Sequence, residues 1–336
     1  MPSVLLRSNA ARWAGLALSI FILLLLAAAG VLYGSKLFSL ADFTGALTRF
    51  QGTNDQIIIK DVRIPRVLIA ACVGASLGAA GVLLQALTRN PVAEPGIFGL
   101  NAGAGLSIVL AVTLFGTASL QSFTWIAFLG TALSGAAVYF LGSLGRGGLS
   151  PVRVTLAGAA VTALATSFIQ TVLVVDQRTT EEVLFWLSGS VEGRKLTILY
   201  HVLPFMAAGW AGTLLLSSPM NTLMLGDDVA KGLGQRTVWV KAGMAGCIIL
   251  LVGASVAAAG PIAFIGLIVP HLARYVAGGD LRWMTAYSLL LGAIMLILAD
   301  IAGRFVAMPN EMPIGVMTAL LGAPFFIYTA RKGLSR

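Results

Sequence analysis

Three arginines occupy positions where positive charge needs an explanation. Arg63 and Arg66 lie at the two ends of the string RIPR, Arg304 is far away in sequence, and each falls at the outer end of a predicted transmembrane helix. Positive residues normally collect on the inner side of a membrane. An arginine offers a carboxylate two parallel N–H donors, so the sequence predicts a docking site for acidic residues of an external partner. The alternative is that the three side chains only anchor helix ends at the interface.

A second group of residues lies in the string LGDDVAKGLG, residues 225–234. The side chain of Asp227 is a suitable N-cap, the charge of Asp228 favours a helix N-terminus, and Gly234 is a suitable stop. These signals predict a short helix outside the membrane, on its inner side. It is either an ordinary capped loop helix or a lever that docks into a cytoplasmic ATPase.

The sequence lacks the residue patterns of catalysis, metal binding and nucleotide binding. The two histidines, His201 and His271, have no metal-ligand spacing, and the dipeptide Gly-Lys of a P-loop does not occur. We therefore expect no enzyme activity, no cofactor and no metal, so energy for uphill transport must come from another subunit. Asp300 is the only acid within a predicted span, and Arg304 at i+4 predicts a local ion pair. An ion-coupled carrier normally carries ionisable groups near mid-membrane, which disfavours secondary transport.

Composition predicts the elements that hold these residues. Of the 336 residues, 58% are hydrophobic and only 10% are charged, far below the roughly 25% of soluble domains. Several apolar runs reach the roughly 20 residues that cross a bilayer. The basic residues mark loops on one side rather than one patch, which argues against nucleic acid as a partner despite a net charge of +9. We expect a single all-α integral membrane domain, residues 1–336, surrounded by membrane lipid.

Ten transmembrane helices are predicted. They are 13–33, 67–88, two spans within 95–145 joined near 116–122, 154–175, 197–217, 240–259, 261–276 (beginning at Pro261 and kinked by Pro270), 283–303 and 312–330. A short apolar stretch at about 182–193 cannot cross alone and is expected to be a re-entrant or surface helix on the outer side. The cytoplasmic coupling segment covers about 219–240.

Small residues within the spans predict close helix packing. They form the strings GASLGAAG at 74–81 and GASVAAAG at 253–260. The two strings fall at different places in their helices, mid-helix and at a helix end, so an internal repeat stays unproven. Cys72 and Cys247 lie in apolar runs and are expected to be packing residues.

The distribution of charge predicts the orientation. The first apolar stretch follows Arg7 and Arg12 and is longer than the roughly 7–15 residues of a signal-peptide core, so it is predicted to be a helix rather than a cleaved signal, with its N-terminus inside. Ten spans then place both termini inside. Inner segments hold 13 Lys or Arg and four acids, whereas outer segments hold nine of each. This satisfies the positive-inside rule.

Several strings resemble one known family, the FecCD permeases of type II ABC importers for iron–siderophores, haem and cobalamin. The matching strings are RIPRVLIAACVGASLGAAGVLLQALTRNPVAEPGIFGLNAGAG (63–105), LGDDVAKGLG (225–234), GPIAFIGLIVPHLAR (260–274), and ADIAGR with MPIGVMTALLGAPFFI (299–327). They extend from the second predicted helix to the tenth. The resemblance implies a BtuC-like ABC permease fold in a bacterial cytoplasmic membrane. It also implies two cytoplasmic ATP-binding subunits, a second permease subunit (identical or paralogous) and an extracytoplasmic substrate-binding protein.

The resemblance also implies roles for individual residues. Arg63, Arg66 and Arg304 are similar to the arginines that pair with glutamates of the binding protein. The residues similar to the helix that meets the ATPase are Gly226, Asp227, Asp228, Ala230, Leu233 and Gly234. Asn90 and Val92 are similar to part of a cytoplasmic gate, in an irregular turn bracketed by Pro91 and Pro95.

The implied function is import of an iron–siderophore complex, with haem or cobalamin as the alternative cargo. Two other classes of protein fit the sequence less well. An intramembrane enzyme would need paired carboxylates at a membrane face, and a passive channel would not need external arginines together with a cytoplasmic helix.

Overall fold

A computed structural model describes residues 4–34, 36–96, 98–116, 120–144, 151–175, 183–184, 186–307 and 310–334. Within these residues every regular element is a helix. The helices are α1 (Asn9–Leu32), α2 (Leu40–Thr48), α3 (Asn54–Ile57), a π-helical segment (Ile58–Arg63), α4 (Ile64–Thr88), α5 (Leu100–Phe115), α6 (Leu120–Ser143), α7 (Pro151–Val175), α8 (Leu196–Leu223), α9 (Asp227–Gly232), α10 (Thr237–Ala259), α11 (Ile265–Ala277), α12 (Leu281–Val306) and α13 (Ile314–Leu334).

The predicted spans correspond to helices of the structure. Among the described residues, seven helices are long and apolar enough to cross a membrane, and three shorter apolar helices lie at Leu100–Phe115, Ile265–Ala277 and Ile314–Ile327. The all-α membrane fold is therefore confirmed. In the segment predicted as a short outer helix, 182–193, the described residues are helical at 183–184 and 186–187; residues 182 and 185 lie outside the described part.

The second predicted span begins too late, because the helix continues outward beyond residue 67. It runs without a break from Asn54 through the π-helical segment into α4. Pro65 directly follows the π-helical segment; a proline inside a continuous helix cannot donate to the preceding turn, and the wide turn before it accommodates the missing hydrogen bond. The charged residues of IIKDVR lie outside the predicted span, but in the structure they form a wide turn of the same helix.

The helix predicted from Pro261 begins four residues later, at Ile265. Gly260 ends α10 at φ 76°, and Phe264 adopts φ 69°, so the chain between them is not helical. The backbone N–H of Phe264 donates to the carboxylate of Glu94, 2.7 Å away. A tertiary contact thus holds a conformation that the favourable helix start at Pro261 did not reveal.

Helix α4 lies at the centre of the fold and packs against α8, α10, α11 and α12. In its most apolar stretch 78% of the residues are buried, whereas in that of α1 only 17% are buried, so α1 lies at the periphery. The string at 74–81 makes this packing close: a Cβ on Gly74 would lie 2.2 Å from the carbonyl oxygen of Gly292, and one on Gly81 would lie 2.1 Å from that of Gly266. Only glycine allows the backbones to approach so closely. The sequence prediction of small-residue packing is confirmed here.

Candidate functional site

At the predicted outer end of the bundle, Asp300 joins two of the three predicted arginines. Its carboxylate oxygens accept from Nε of Arg66 at 2.9 and 3.1 Å, and Nη2 of Arg304 donates to the same group from one turn away. Arg66 also donates through Nη1 to Glu311. The ion pair predicted at i+4 is therefore present, but it is part of a larger cluster.

Backbone carbonyls at the end of α1 complete this cluster. Nη1 of Arg304 donates to the carbonyl oxygens of Gly30 and Tyr33, at 2.6 and 2.8 Å. Nη1 of Arg63 donates to the same Tyr33 oxygen at 2.7 Å. The guanidinium groups therefore tie the outer ends of α1, α4 and α12 together.

All three arginines are buried within the chain. Arg63 is 5%, Arg66 6% and Arg304 1% exposed, so they are not interfacial anchors with the guanidinium in water. A buried charge is tolerated only when it is paired and hydrogen-bonded. Carboxylates pair with Arg66 and Arg304 and a carbonyl accepts from Arg63, although Nε of Arg304 has no partner among the described residues. Direct pairing with a partner's carboxylate would require these contacts to be exchanged, and the docking role stays a prediction.

At the other end of the bundle, α9 forms the short helix predicted at 225–234. Its N-cap is Gly226 and Asp227 is its first helical residue, so the prediction of Asp227 as the cap is wrong. The carboxylate of Asp227 instead accepts from Nη2 of Arg89 at 2.6 Å and from Nζ of Lys241. The stop is as expected: α9 ends before Gly234, which adopts φ 80°.

These contacts anchor α9 electrostatically to the ends of two long helices. Arg89 follows α4, and Lys241 lies in the first turns of α10. The hydrogen bond from Lys241 lowers the pKa of Asp227, and the charges of Lys241 and Arg89 lower it further. Asp227 therefore stays ionised and holds α9 in place at any pH near neutrality.

The outward surface of α9 is apolar. Leu225, Val229 and Leu233 are 65%, 49% and 68% exposed, whereas Ala230 is fully buried against the bundle. Asp228 is exposed beside them. Exposed apolar side chains on a short helix beyond the membrane spans are typical of a surface that binds another protein.

The predicted gate residues lie in the loop directly after α4. Asn90 and Val92 are half-buried, and Oδ1 of Asn90 accepts from the backbone N–H of Val92 at 3.0 Å. The backbone at Arg89 is left-handed, with φ 49°. The irregular turn predicted between the two prolines is present.

Sequence reasoning missed Glu94 in the same loop. Glu94 is 5% exposed, and its Oε2 atom accepts from the backbone N–H of Phe264. Nearby, Nδ2 of Asn101 donates to the carbonyl oxygen of Ile262 at 3.3 Å. Burial raises the pKa of Glu94 to about 7, although the bond from Phe264 opposes the shift. Glu94 thus links the loop after α4 to the break between α10 and α11.

A cavity of about 450 Å³ lies at the same end of the bundle as α9. Its walls are mainly apolar side chains of α4, α6 and α10, and Arg89, Asp227 and Lys241 lie on its lining. Elsewhere, the described residues contain no group of three or more His, Cys, Asp or Glu that could hold a metal ion.

Comparison with known proteins assigns the chain to a family. The FecCD transport family matches residues 20–332. The chain belongs to this family. It is a multi-pass membrane protein, as its apolar helices and this family together show.

The similar proteins of known name are transport permeases. The chain is 50% identical over 327 residues to the "Probable siderophore transport system permease protein YfiZ" of Bacillus subtilis (strain 168), covering 97% of this chain and 98% of the relative. It is 42% identical over 290 residues to the "Ferric enterobactin transport system permease protein FepD" of Escherichia coli (strain K12), covering 85% and 86%. A solved structure described as "An inward-facing conformation of a putative metal-chelate type ABC transporter" superimposes with a TM-score of 0.83 at 28% identity, covering 94% of this FecCD-family chain and 98% of that one.

Proposed function

We propose that this chain is the membrane permease subunit of an ATP-driven ABC importer that moves an iron–siderophore complex across the bacterial cytoplasmic membrane. The observation that carries the proposal is α9, a short helix with an exposed apolar surface, fixed by Arg89 and Lys241 to the ends of the central helices. Such a helix can receive force from another protein and pass it to the bundle. The chain has no P-loop of its own, so ATP hydrolysis belongs to two cytoplasmic partners.

Force applied to α9 has a direct route to the proposed gate. The residues proposed to meet the ATPase are Gly226, Asp227, Asp228, Ala230, Leu233 and Gly234. Asp227 is bonded to Arg89, and Arg89 is the chain neighbour of Asn90. A displacement of α9 therefore pulls on the turn that holds Asn90 and Val92, without a long relay of side chains.

The proposed outer partner is a substrate-binding protein that delivers cargo to the end of the bundle with Arg63, Arg66 and Arg304. Arg66 shares its guanidinium between buried Asp300 and half-buried Glu311. A carboxylate of the partner can compete with Glu311 while Asp300 remains in place. Docking would then exchange one ion pair for another and disturb the junction of α1, α4 and α12.

A second permease subunit, identical or paralogous, is proposed to complete the pathway, and both termini are placed in the cytoplasm. The orientation rests on the excess of Lys and Arg in the inner segments. Siderophore is favoured over haem or cobalamin as the cargo because the similar permeases described above are named for siderophore and ferric enterobactin transport.

A reconstituted importer tests the proposal. The complete complex in proteoliposomes is expected to accumulate a ferric siderophore only with ATP and the binding protein. Leu233→Glu places a charge on the exposed surface of α9 and should abolish uptake without preventing membrane insertion. The control Leu215→Glu changes another exposed leucine, on the membrane-spanning helix α8, and should reduce insertion instead. Uphill transport by the purified chain without any nucleotide-hydrolysing partner would reject the proposal.

A further inference from the structure

The cavity near α9 combines a deep apolar interior with a charged rim. The helices that line it do so at the same end of the bundle: the last residues of α4 and α8, the last part of α6, the first residues of α5 and α7, and residues 241–249 of α10. Along α10, Ile248 and Ile249 lie farthest from the helix end and Lys241 nearest to it; along α4, Leu84 lies farthest and Arg89 directly follows the end. Eight residues separate Lys241 from Ile249, a rise of about 12 Å along the helix axis. The cavity therefore changes from charged to apolar over a distance similar to that from a lipid headgroup into its acyl chains.

Small residues keep this space open. The lining includes Ala136, Ala242, Ala245 and Gly246, and also Gly135, where an added Cβ would lie 3.0 Å from Cγ1 of Ile249. A Cβ added to Gly246 would meet no atom within 4 Å, so the space next to that residue is empty. Glycines elsewhere in the bundle, such as Gly74 and Gly81, face the backbone of a neighbouring helix. The glycine at 246 is thus not explained by helix packing.

The cavity opens sideways between α6 and α10. Tyr139 is 37% exposed, and Ala136, Ala242 and Gly246, which also line the cavity, are exposed as well. The opening lies along membrane-spanning helices near their ends. In a bilayer, such an opening meets lipid at the level where headgroups give way to acyl chains.

The charges at the rim favour an anion. Arg89 and Lys241 share a single carboxylate, that of Asp227, so the group carries a net positive charge. The side chain of Arg89 is 40% exposed and has donors left for another acceptor. An arginine and a lysine at a membrane surface attract anionic lipid headgroups.

We propose that this cavity is a binding site for an anionic phospholipid of the inner leaflet. One acyl chain lies between α4, α6 and α10, and the phosphate receives hydrogen bonds from Arg89 and Lys241. The phosphate and the carboxylate of Asp227 compete for hydrogen bonds from the same two cationic side chains. Lipid occupancy therefore weakens the hold on α9, which makes the site a control point for the movement of that helix.

Binding is measured by native mass spectrometry of the full-length detergent-purified protein titrated with phosphatidylglycerol or phosphatidylcholine of identical acyl chains. We expect the wild-type protein to retain phosphatidylglycerol preferentially. Glycerol phosphate, which has the anionic group but no acyl chain, should not displace it at equal concentration. Equal retention of the two lipids, or displacement by glycerol phosphate, would overturn the proposal.

Variants locate the binding and separate it from loss of folding. Gly246→Leu should fill the cavity and reduce phosphatidylglycerol binding more than tenfold, whereas Gly243→Leu, on the same helix but not on the lining, should leave it unchanged. Lys241→Gln should weaken binding roughly fivefold, and the exposed control Lys231→Gln should not.

Asp227→Asn removes the competing carboxylate and should tighten binding, a gain that a damaged fold cannot produce. Unchanged binding in Gly246→Leu, or weaker binding in Asp227→Asn, contradicts the assignment; both results are independent of whether the chain imports siderophores.

Discussion

Arg89 and Asp227 are joined by a hydrogen bond of 2.6 Å although 138 residues separate them in the sequence. The bond connects the residue that ends α4 to the first residue of α9. One side of it leads to the exposed apolar surface of α9, and the other leads to the turn that holds Asn90. It is a direct physical connection between the two regions to which the proposal gives coupling and gating roles.

The first prediction concerns this connection. Arg89→Gln and Asp227→Asn should each lower the number of cargo molecules transported per ATP hydrolysed, because α9 can then move without pulling on the gate. The double variant should be no worse than the worse single variant, which corresponds to a coupling energy of about 1 kcal/mol. The measurement is paired uptake and ATPase rates in proteoliposomes, with Lys231→Gln as a control that removes an exposed cation from the same helix. Additive losses in the double variant would show that the two residues act separately.

The second prediction concerns the stability of the buried charge cluster. Asp300→Asn leaves two buried arginines without their shared carboxylate and should lower the free energy of unfolding by roughly 3–5 kcal/mol. Asp55→Asn removes a carboxylate from an exposed pair with Lys36 and should cost about 1 kcal/mol or less. Unfolding of the detergent-purified protein, followed by circular dichroism, compares the two.

A compensated variant separates charge from packing in the same cluster. Arg66→Met with Asp300→Leu removes one charge of each sign and should be more stable than Asp300→Asn alone. If the double variant is the less stable of the two, the arginine contributes through packing and hydrogen bonds rather than through pairing.

The third prediction concerns docking at the outer end. Glu311→Gln removes the half-buried carboxylate that occupies Arg66, so Arg66 is freer to pair with a glutamate of the binding protein. Affinity for that protein should rise up to about fivefold, and the gain should shrink as salt increases. Glu192→Gln, a substitution in the loop before α8 that leaves the ion pairs of Arg66 with Asp300 and Glu311 in place, is the matched control. Weaker binding in Glu311→Gln would mean that Glu311 itself contributes to the docking surface.

Local signals were sufficient to predict most of the fold. Runs of apolar residues gave the helices because a bilayer requires segments of a fixed length, and the glycines of 74–81 indicated the close packing seen at Gly292. The position of α9 also followed from local signals, including the stop at Gly234. Such features depend on neighbours within a few residues.

Contacts between distant residues account for what the sequence did not reveal. Aspartate is a residue type favoured at an N-cap, but the carboxylate of Asp227 accepts hydrogen bonds from Arg89 and Lys241 instead. The arginines were predicted at an exposed mouth, but Arg66 is covered by partners more than 230 residues away. The sequence did not indicate a role for Glu94 because its partner, Phe264, is 170 residues away in the chain. An acid between two prolines in a long uncharged region was the only available hint.

The last prediction concerns the pH dependence that Glu94 creates. Its pKa in the folded protein is about 7, raised from 4.5 by burial, so the folded state holds this proton more tightly than the unfolded chain. Its contribution to stability is therefore complete below the unfolded pKa and is lost as the pH rises through about 7.

Glu94→Gln keeps an acceptor for the Phe264 N–H but cannot ionise. The free energy of unfolding of Glu94→Gln should match that of the wild type at pH 4, below the unfolded pKa, and exceed it at pH 8 by no more than about 3 kcal/mol. Asp228→Asn, which removes an exposed carboxylate at the same end of the bundle, is the control. The same gain in stability over the wild type at pH 8 in both variants would mean that Glu94 does not cause it.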